Sequence, residues 1–354
     1  MIIFDSHLDL AMNALLWNRD LKQSVYHIRR QEAGMTEKGR GRGTVAFPQM
    51  RAGQVAVCCA TVIARLSRPG NPLPGYNSPE IACAVAQGQL AYYRLLEEQG
   101  QARIIPDWPT LEAHVQKWEA GAGDEPPLGF ILAMEGADPI LSPEQVGWWW
   151  AKGLRVVSLS HYGLSTYAHG TDTEGGLTPL GRLLLAAMEE AGMILDLTHL
   201  SDESFWQALE AFGGPVMASH NNCRALVPGV RQFSDEQIRA LIQREGVIGV
   251  ALDAWMLYPG WIRGQTQPEV VSLEAVVDHI VHICQLAGDS RHAAIGSDLD
   301  GGYGTEQCPH DLDTIADLQK IGDLLRARGY SEGDVRAIMH ANWLRFFRRT
   351  WEDA

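Results

Sequence analysis

The chain has 354 residues, is 46% hydrophobic, and carries 29 Lys+Arg against 43 Asp+Glu, a formal charge of −14. That is ample apolar material for a large core, and an acidic balance that repels polyanions, so nucleic acid and anionic membrane surfaces are set aside as partners. No run of eighteen or more apolar residues occurs, which removes a transmembrane helix from consideration.

The opening MIIFDSHLDL has neither a basic n-region nor a long apolar core, so no signal peptide is expected. The first strand candidate lies at 2–6, and it runs into a cluster of polar residues, Asp5, His7 and Asp9. A polar, glycine-rich stretch at about 18–50 follows, expected to be a partly mobile loop covering an end of the fold or lining a cleft. Further strand candidates are 54–63, 128–134, 154–160, 193–198, 215–219, 246–252 and 292–297, with a ninth, weaker one at 102–107 read as an excursion within a long connection. Helical patterns lie between most of them. TPLGRLLLAAMEEAG places Leu183, Leu184, Ala187 and Met188 on one face and stops at Gly192; SDESFWQALEAFGG opens at Ser201; SDEQIRALIQREG has Ser234 as N-cap and an acidic first turn. A helical segment is expected over about 310–350, and the closing FFRRTWEDA lacks the tail of a lipid anchor.

Eight strands alternating with helices require right-handed crossovers and a parallel sheet, and eight suits a closed (β/α)8 TIM-type barrel in a single α/β domain. The six cysteines (Cys58, Cys59, Cys83, Cys223, Cys284, Cys308) form no CxxC pair and are expected as free thiols in a reducing cytoplasm. The tryptophans of GWWWAKG (148–150) are expected to pack in the core, with a homodimer contact as the alternative.

Metal-competent residues gather at the C-terminal ends of the predicted strands: His7 and Asp9, Glu135, His161, Asp196 and His199, His220, then Asp298 and Asp300. In a barrel those ends converge on one mouth, where active sites of this architecture are built. Residues i and i+2 on a strand face the same way, so His7 and Asp9 can grip one cation between them. His199 and His220 add two imidazoles, and Glu135 a carboxylate that can be shared. Imidazole with carboxylate suits zinc first, with manganese, cobalt or iron as alternatives. Two cations would then be held by His7 and Asp9, by His199 and His220, and by Glu135 between them, with positions left open as a catalytic centre needs. His27, His114, His279, His282, His292, His310 and His340 fall on helices, loops or a strand start and are read as non-catalytic; His169, in a Gly/Thr-rich loop, is left unassigned.

The segments DSHLDL, AMEGAD, LSH, GLTPLGRLLLAAMEEAGMILDLTHLSDESFWQAL, PVMASHNNCRAL, RQFSDEQ, GSDLDG and ANWLRFF resemble the membrane (renal) dipeptidases, the zinc dipeptidases of peptidase family M19, which are related to the amidohydrolase barrels. The resemblance implies a binuclear zinc centre that cleaves small dipeptides, with L-Xaa-D-Xaa substrates among the candidates. By that likeness His7 and Asp9 match the ligands of one zinc, His199 and His220 those of the other, and Glu135 the bridge. His161 matches a histidine that contacts the substrate near the scissile group, Arg231 an arginine that holds the terminal carboxylate, and Asp298 an aspartate that transfers a proton and meets the free amine. A water activated by the cations is the expected nucleophile, with Asp298 accepting its proton and His161 donating to the developing oxyanion. Asp5, Asp196 and Asp300 are assigned supporting roles. Two positions depart from the family: Leu8 stands where Asn or Thr is usual, and Asp253, in ALDAWML, lies near the place of a substrate-contacting tyrosine. The same centre could instead open another small amide, such as a lactam or an N-acyl amino acid, or a phosphoester; a non-catalytic metal- or peptide-binding relative is the remaining alternative.

Overall fold

The computed structural model describes residues 1–121, 123 and 125–352. Nine strands pair in parallel: β1 (Ile3–Leu8), β2 (Val55–Ile63), β3 (Ala102–Ile104), β4 (Leu128–Glu135), β5 (Leu154–Ser158), β6 (Ile194–Asp196), β7 (Val216–Met217), β8 (Ile248–Val250) and β9 (Ala293–Ile295). Eight follow the path β7-β6-β5-β4-β2-β1-β9-β8. Its two ends meet where Ala218 bridges Ile248 in parallel, with Ala218 N donating to Val247 O at 3.0 Å and Gly249 N to Ala218 O at 2.9 Å. The result is the expected eight-stranded α/β barrel, joined at this seam by a single bridge. β3 lies off the ring, paired to the first residues of β4, as an excursion within the long connection should be.

β2 and β4 are buried along their whole length, which explains why their sequences read as continuous apolar runs rather than alternating ones. The helices obey their end signals. Thr178 caps Pro179–Ala191 by accepting from Gly181 N, and Gly192, at φ 75°, ends it in the left-handed conformation that glycine adopts without a Cβ penalty. The buried stripe of this helix is Gly181, Leu184, Leu185 and Met188, while Leu183 is 58% exposed, so the expected inward face was rotated by one residue. Spacing alone allowed either leucine; the i, i+3, i+4, i+7 rule with Gly181 at the close contact selects Leu185. Ser234 caps Asp235–Gln243 in a full capping box with Gln237.

The 18–50 segment is built rather than loose. It contains the helices Val25–Gln31 and Phe47–Ala52. Buried Arg19 holds it down, with a two-pronged contact to Glu32 (2.8 and 2.9 Å) and a third to Asp300 at 3.2 Å. Toward the other end of the chain lie helices Gln319–Ala327, Glu332–Arg336 and Asn342–Glu352. Trp343 Nε1 donates to Ile295 O at 3.0 Å and Phe347 stacks on Phe4 at 5.5 Å, packing the last helix onto β9 and β1. Of the tryptophan triplet, Trp149 is in the core, Trp150 packs partly against it, and Trp148 is 42% exposed. All six cysteines are buried free thiols. No helix among the described residues is long and apolar enough to cross a membrane.

Candidate active site and metal centre

The strand ends deliver their polar residues to one place. β1 extends to Leu8, further than predicted, so His7 is within the strand and Asp9 is the residue that starts the helix Leu10–Leu16. Glu135 is the last residue of β4, and His199 and His220 follow β6 and β7. Glu135 is the hub: its Oε1 lies 3.2 Å from His199 Nε2, 3.4 Å from His220 Nε2, and 3.7 Å from both His7 Nε2 and His161 Nε2. His7 Nε2 is also 3.9 Å from Asp9 Oδ1 and 3.8 Å from Asp298 Oδ1. Three overlapping triads have ligand-type geometry: His7 with Asp9 and Glu135, Glu135 with His199 and His220, and His7 with His220 and Asp298.

The donor set fits divalent cations. Ser219 Oγ donates to Asp196 Oδ2 at 2.5 Å and stands 2.8 Å from His220 Nδ1, so it accepts that ring's proton. Thr171 Oγ1 donates to His199 O at 3.3 Å and lies 3.0 Å from His199 Nδ1, so the Nδ1–H of that ring donates to it. Both rings therefore present bare Nε2 lone pairs, and these face each other at 3.1 Å. Two lone pairs at that distance repel unless a cation draws on both. His7 Nε2, buried and without a hydrogen-bond partner among the described residues, points the same way. Burial drives His7, His199 and His220 well below the ordinary imidazole range, the neutral state that ligation requires.

Electrostatics divide the carboxylates. Burial pushes Glu135 up, but His161, His7, Arg65 and Arg231 outweigh it and hold the group below its usual value. Burial, reinforced by Glu135, Asp9 and Asp253, pushes Asp298 well above the carboxylate range. His199 (φ 68°), Asp298 (φ 57°) and Asp300 (φ 61°) all hold left-handed backbone without being glycine, a cost of ~1–3 kcal/mol each that the surrounding bonds must sustain.

The remaining predicted residues are placed as follows. His161 stands beside Glu135, with Arg65 at its other ring nitrogen. Arg231 is 3% exposed, in the loop before Asp235–Gln243; it donates to His220 O at 2.8 Å and to Asn221 Oδ1. No carboxylate lies within 4 Å of it among the described residues. Asp5 accepts from Ser297 N, Ser297 Oγ and His7 N, below the cluster. Asp196 orients His220 through Ser219, whereas Asp300 accepts from Thr44 and Val45 and ties the 18–50 segment to the end of β9. Asp253 lines the cavity and accepts from Gln307 Nε2 at 2.6 Å. The histidines read as non-catalytic lie outside the cavity lining, and several bond backbone, as His114 does to Ala56 O and His292 to Gly246 O. His169 is also absent from that lining.

The cavity over the cluster has a volume of about 200 Å³ and is shared by Arg65, Tyr162, Trp255, Arg263 and Lys38, none of which the sequence reading singled out. Arg65 lies two residues past the end of β2, a strand-end position that is legible in the sequence, but an arginine there carries no metal-ligand signal. Lys38 and Arg263 sit on irregular segments, where no periodicity reports direction. A larger groove of about 730 Å³, lined by Trp17, Arg40 and Tyr92 among others, contains none of the three triads.

The family model for membrane dipeptidase (peptidase family M19) matches residues 1–353. Dipeptidase aclJ of Aspergillus oryzae is 28% identical over 349 residues, 96% of this chain and 76% of that protein. Dipeptidase tcpJ of Claviceps purpurea is 32% identical over 203 residues, 55% of this chain and 44% of that protein, so the match spans less than half of that relative's length. A metallopeptidase from Rhodobacter sphaeroides, solved with a phosphinate mimic of the dipeptide L-Ala-D-Ala, superposes with a TM-score of 0.80 at 23% identity over 99% of both chains.

Proposed function

This chain belongs to the membrane dipeptidase family, peptidase family M19, and from that premise we propose that it is a metal-dependent hydrolase of small dipeptides. The observation that carries the substrate class is Arg231. A buried guanidinium with no carboxylate beside it is a costly arrangement, and the anion that would relieve it is the terminal carboxylate of a substrate in the adjoining cavity. A cavity of about 200 Å³ is smaller than the ~300–1,000 Å³ usual for drug-sized ligands, which favours a dipeptide over a longer chain.

His7 and Asp9 would hold one divalent ion and His199 and His220 a second, with Glu135 between them; the mix of imidazole and carboxylate favours zinc. When bound, such ions polarise a carbonyl and lower the pKa of water toward neutrality. The chain's own groups do the rest. Arg231 fixes the terminal carboxylate and thereby the scissile bond over the cluster. Asp298 accepts the proton of the attacking water and returns it to the leaving amine. His161 donates a hydrogen bond to the carbonyl oxygen as charge develops there. The Rhodobacter relative's L-Ala-D-Ala mimic makes a D-residue at the C-terminal position a substrate feature to include. The buried free thiols support a reducing, cytoplasmic setting.

The test is a panel of L-L, L-D and D-D dipeptides with their C-terminal amides, assayed on metal-loaded and chelator-treated protein. Hydrolysis of dipeptides, loss with chelator and far slower turnover of the amides is the expected outcome. Equal rates on dipeptides and amides would remove Arg231 from its role, and no turnover of any dipeptide would redirect the site to lactams or N-acyl amino acids.

A further inference from the structure

The histidines around Glu135 do not share one hydrogen-bonding pattern. The Nδ1–H groups of His199 and His220 donate to the hydroxyls of Thr171 and Ser219, so both rings turn bare Nε2 atoms inward. At His161 the relation is reversed. Arg65 Nη1 lies 2.6 Å from His161 Nδ1. A guanidinium carries only donors, so Nδ1 must accept, and the single proton of the neutral ring sits on Nε2. That is the nitrogen directed toward Glu135, in a residue that lines the cavity. An imidazolium would set two donors against each other at the same distance, which this geometry disfavours.

Arg65 is held for the purpose from both sides. It lies two residues past the end of β2; its Nε donates to Pro74 O at 2.9 Å, and its own carbonyl accepts from Tyr76 N at 2.8 Å. No carboxylate lies within 4 Å of it among the described residues, so no ion pair competes for its donors. We propose that Arg65 is a positioning residue for hydrolysis: it fixes His161 as the Nε2–H tautomer and so makes that histidine a hydrogen-bond donor to the scissile carbonyl oxygen, while its neighbours are fixed in the opposite tautomer as cation ligands. The donor is thus aimed before substrate arrives, which is what makes such groups effective on developing charge. This role rests on the dipeptidase reading for the identity of the oxygen, but not for the tautomer.

Two measurements on the zinc-loaded protein test it. With ¹⁵N-labelled histidine, and His161→Ala to assign the signal, the His161 ring of the unsubstituted protein should be protonated at Nε2. Arg65→Met should shift it toward Nδ1–H, and Arg65→Lys, whose ammonium also only donates, should keep Nε2–H. In kinetics with a dipeptide, Arg65→Met should lower kcat about 10–100-fold with little change in KM and unchanged metal content, and Arg65→Lys should recover part of the loss. In a His161→Ala background, Arg65→Met should cost nothing more. An unchanged tautomer in Arg65→Met, or losses that simply add in the double variant, would overturn the role. If the unsubstituted protein cleaves no dipeptide, the substrate reading fails, yet the tautomer comparison still decides Arg65.

Discussion

The carboxylate of Asp298 stands 3.8 Å from His7 Nε2, close enough to join the cation ligands and equally placed to exchange a proton at the cavity. The two roles part on substitution. As a proton carrier, Asp298→Asn should keep the metal content and lose most turnover, on the order of 10²–10⁴-fold in kcat. As a ligand, the same variant should bind metal more weakly and recover activity when metal is added in excess. Metal analysis after gel filtration, beside kcat at saturating metal, separates them. The residue types at this site were legible because strand ends of a barrel share one mouth, so His7, Glu135, His199 and His220 could be listed together from spacing alone. Their second partners were not legible. Ser219 and Thr171 are ordinary residues in sequence, and only the folded chain shows that their hydroxyls decide which nitrogen of each histidine faces inward.

At the scale of elements, the order of strands and helices could be read from periodicity and caps, but close approaches between strands could not. Gly249, within β8, and Gly296, just past β9, pack against the carbonyl of Ser219, the residue before His220; a β-carbon at either would press into that oxygen. Ser6 Oγ donates to the same carbonyl at 2.5 Å. The barrel interior is therefore narrow where β1, β8 and β9 pass the end of β7, and the backbone at Ser219, just before His220, is its fixed wall. Gly296→Ala should destabilise the fold by about 1–3 kcal/mol, the usual cost of overpacking, and weaken metal binding by displacing His220. Gly88, in the helix Pro79–Glu98, is the control: a β-carbon there meets nothing within 4 Å. Gly88→Ala should stabilise by about 0.5–1 kcal/mol through helix propensity and leave metal affinity alone. Thermal melts with metal titrations on both variants check the pair; equal behaviour would mean that the Ser219 contact does not constrain the site.

Across the whole molecule, stability is linked to pH through a buried histidine that belongs to none of the three metal-competent triads. His279 lies within the helix Leu273–Ala287, fully enclosed, and its Nδ1 accepts from Cys223 N at 3.0 Å. Cys223 opens the segment that carries Arg231, so this bond fastens that loop to the outer helix layer. Burial lowers the His279 pKa from 6.5 to about 3. The unfolded chain therefore takes up a proton at this position below about pH 6.5, while the folded chain does not until about pH 3. In that window the unfolded state binds more protons, so the contribution of His279 falls as pH is lowered and is fully present only above about 6.5. Each tenfold difference in proton affinity is worth ~1.4 kcal/mol, so the loss reaches a few kcal/mol at the acid end. His279→Gln removes the titration and keeps a polar side chain in the same space. Its Tm will be lower than that of the unsubstituted protein at pH 7.5, and the gap should narrow steadily toward pH 4.5. A gap that stays constant with pH would show that His279 is protonated alike in both states, and that the acid sensitivity of this barrel arises elsewhere.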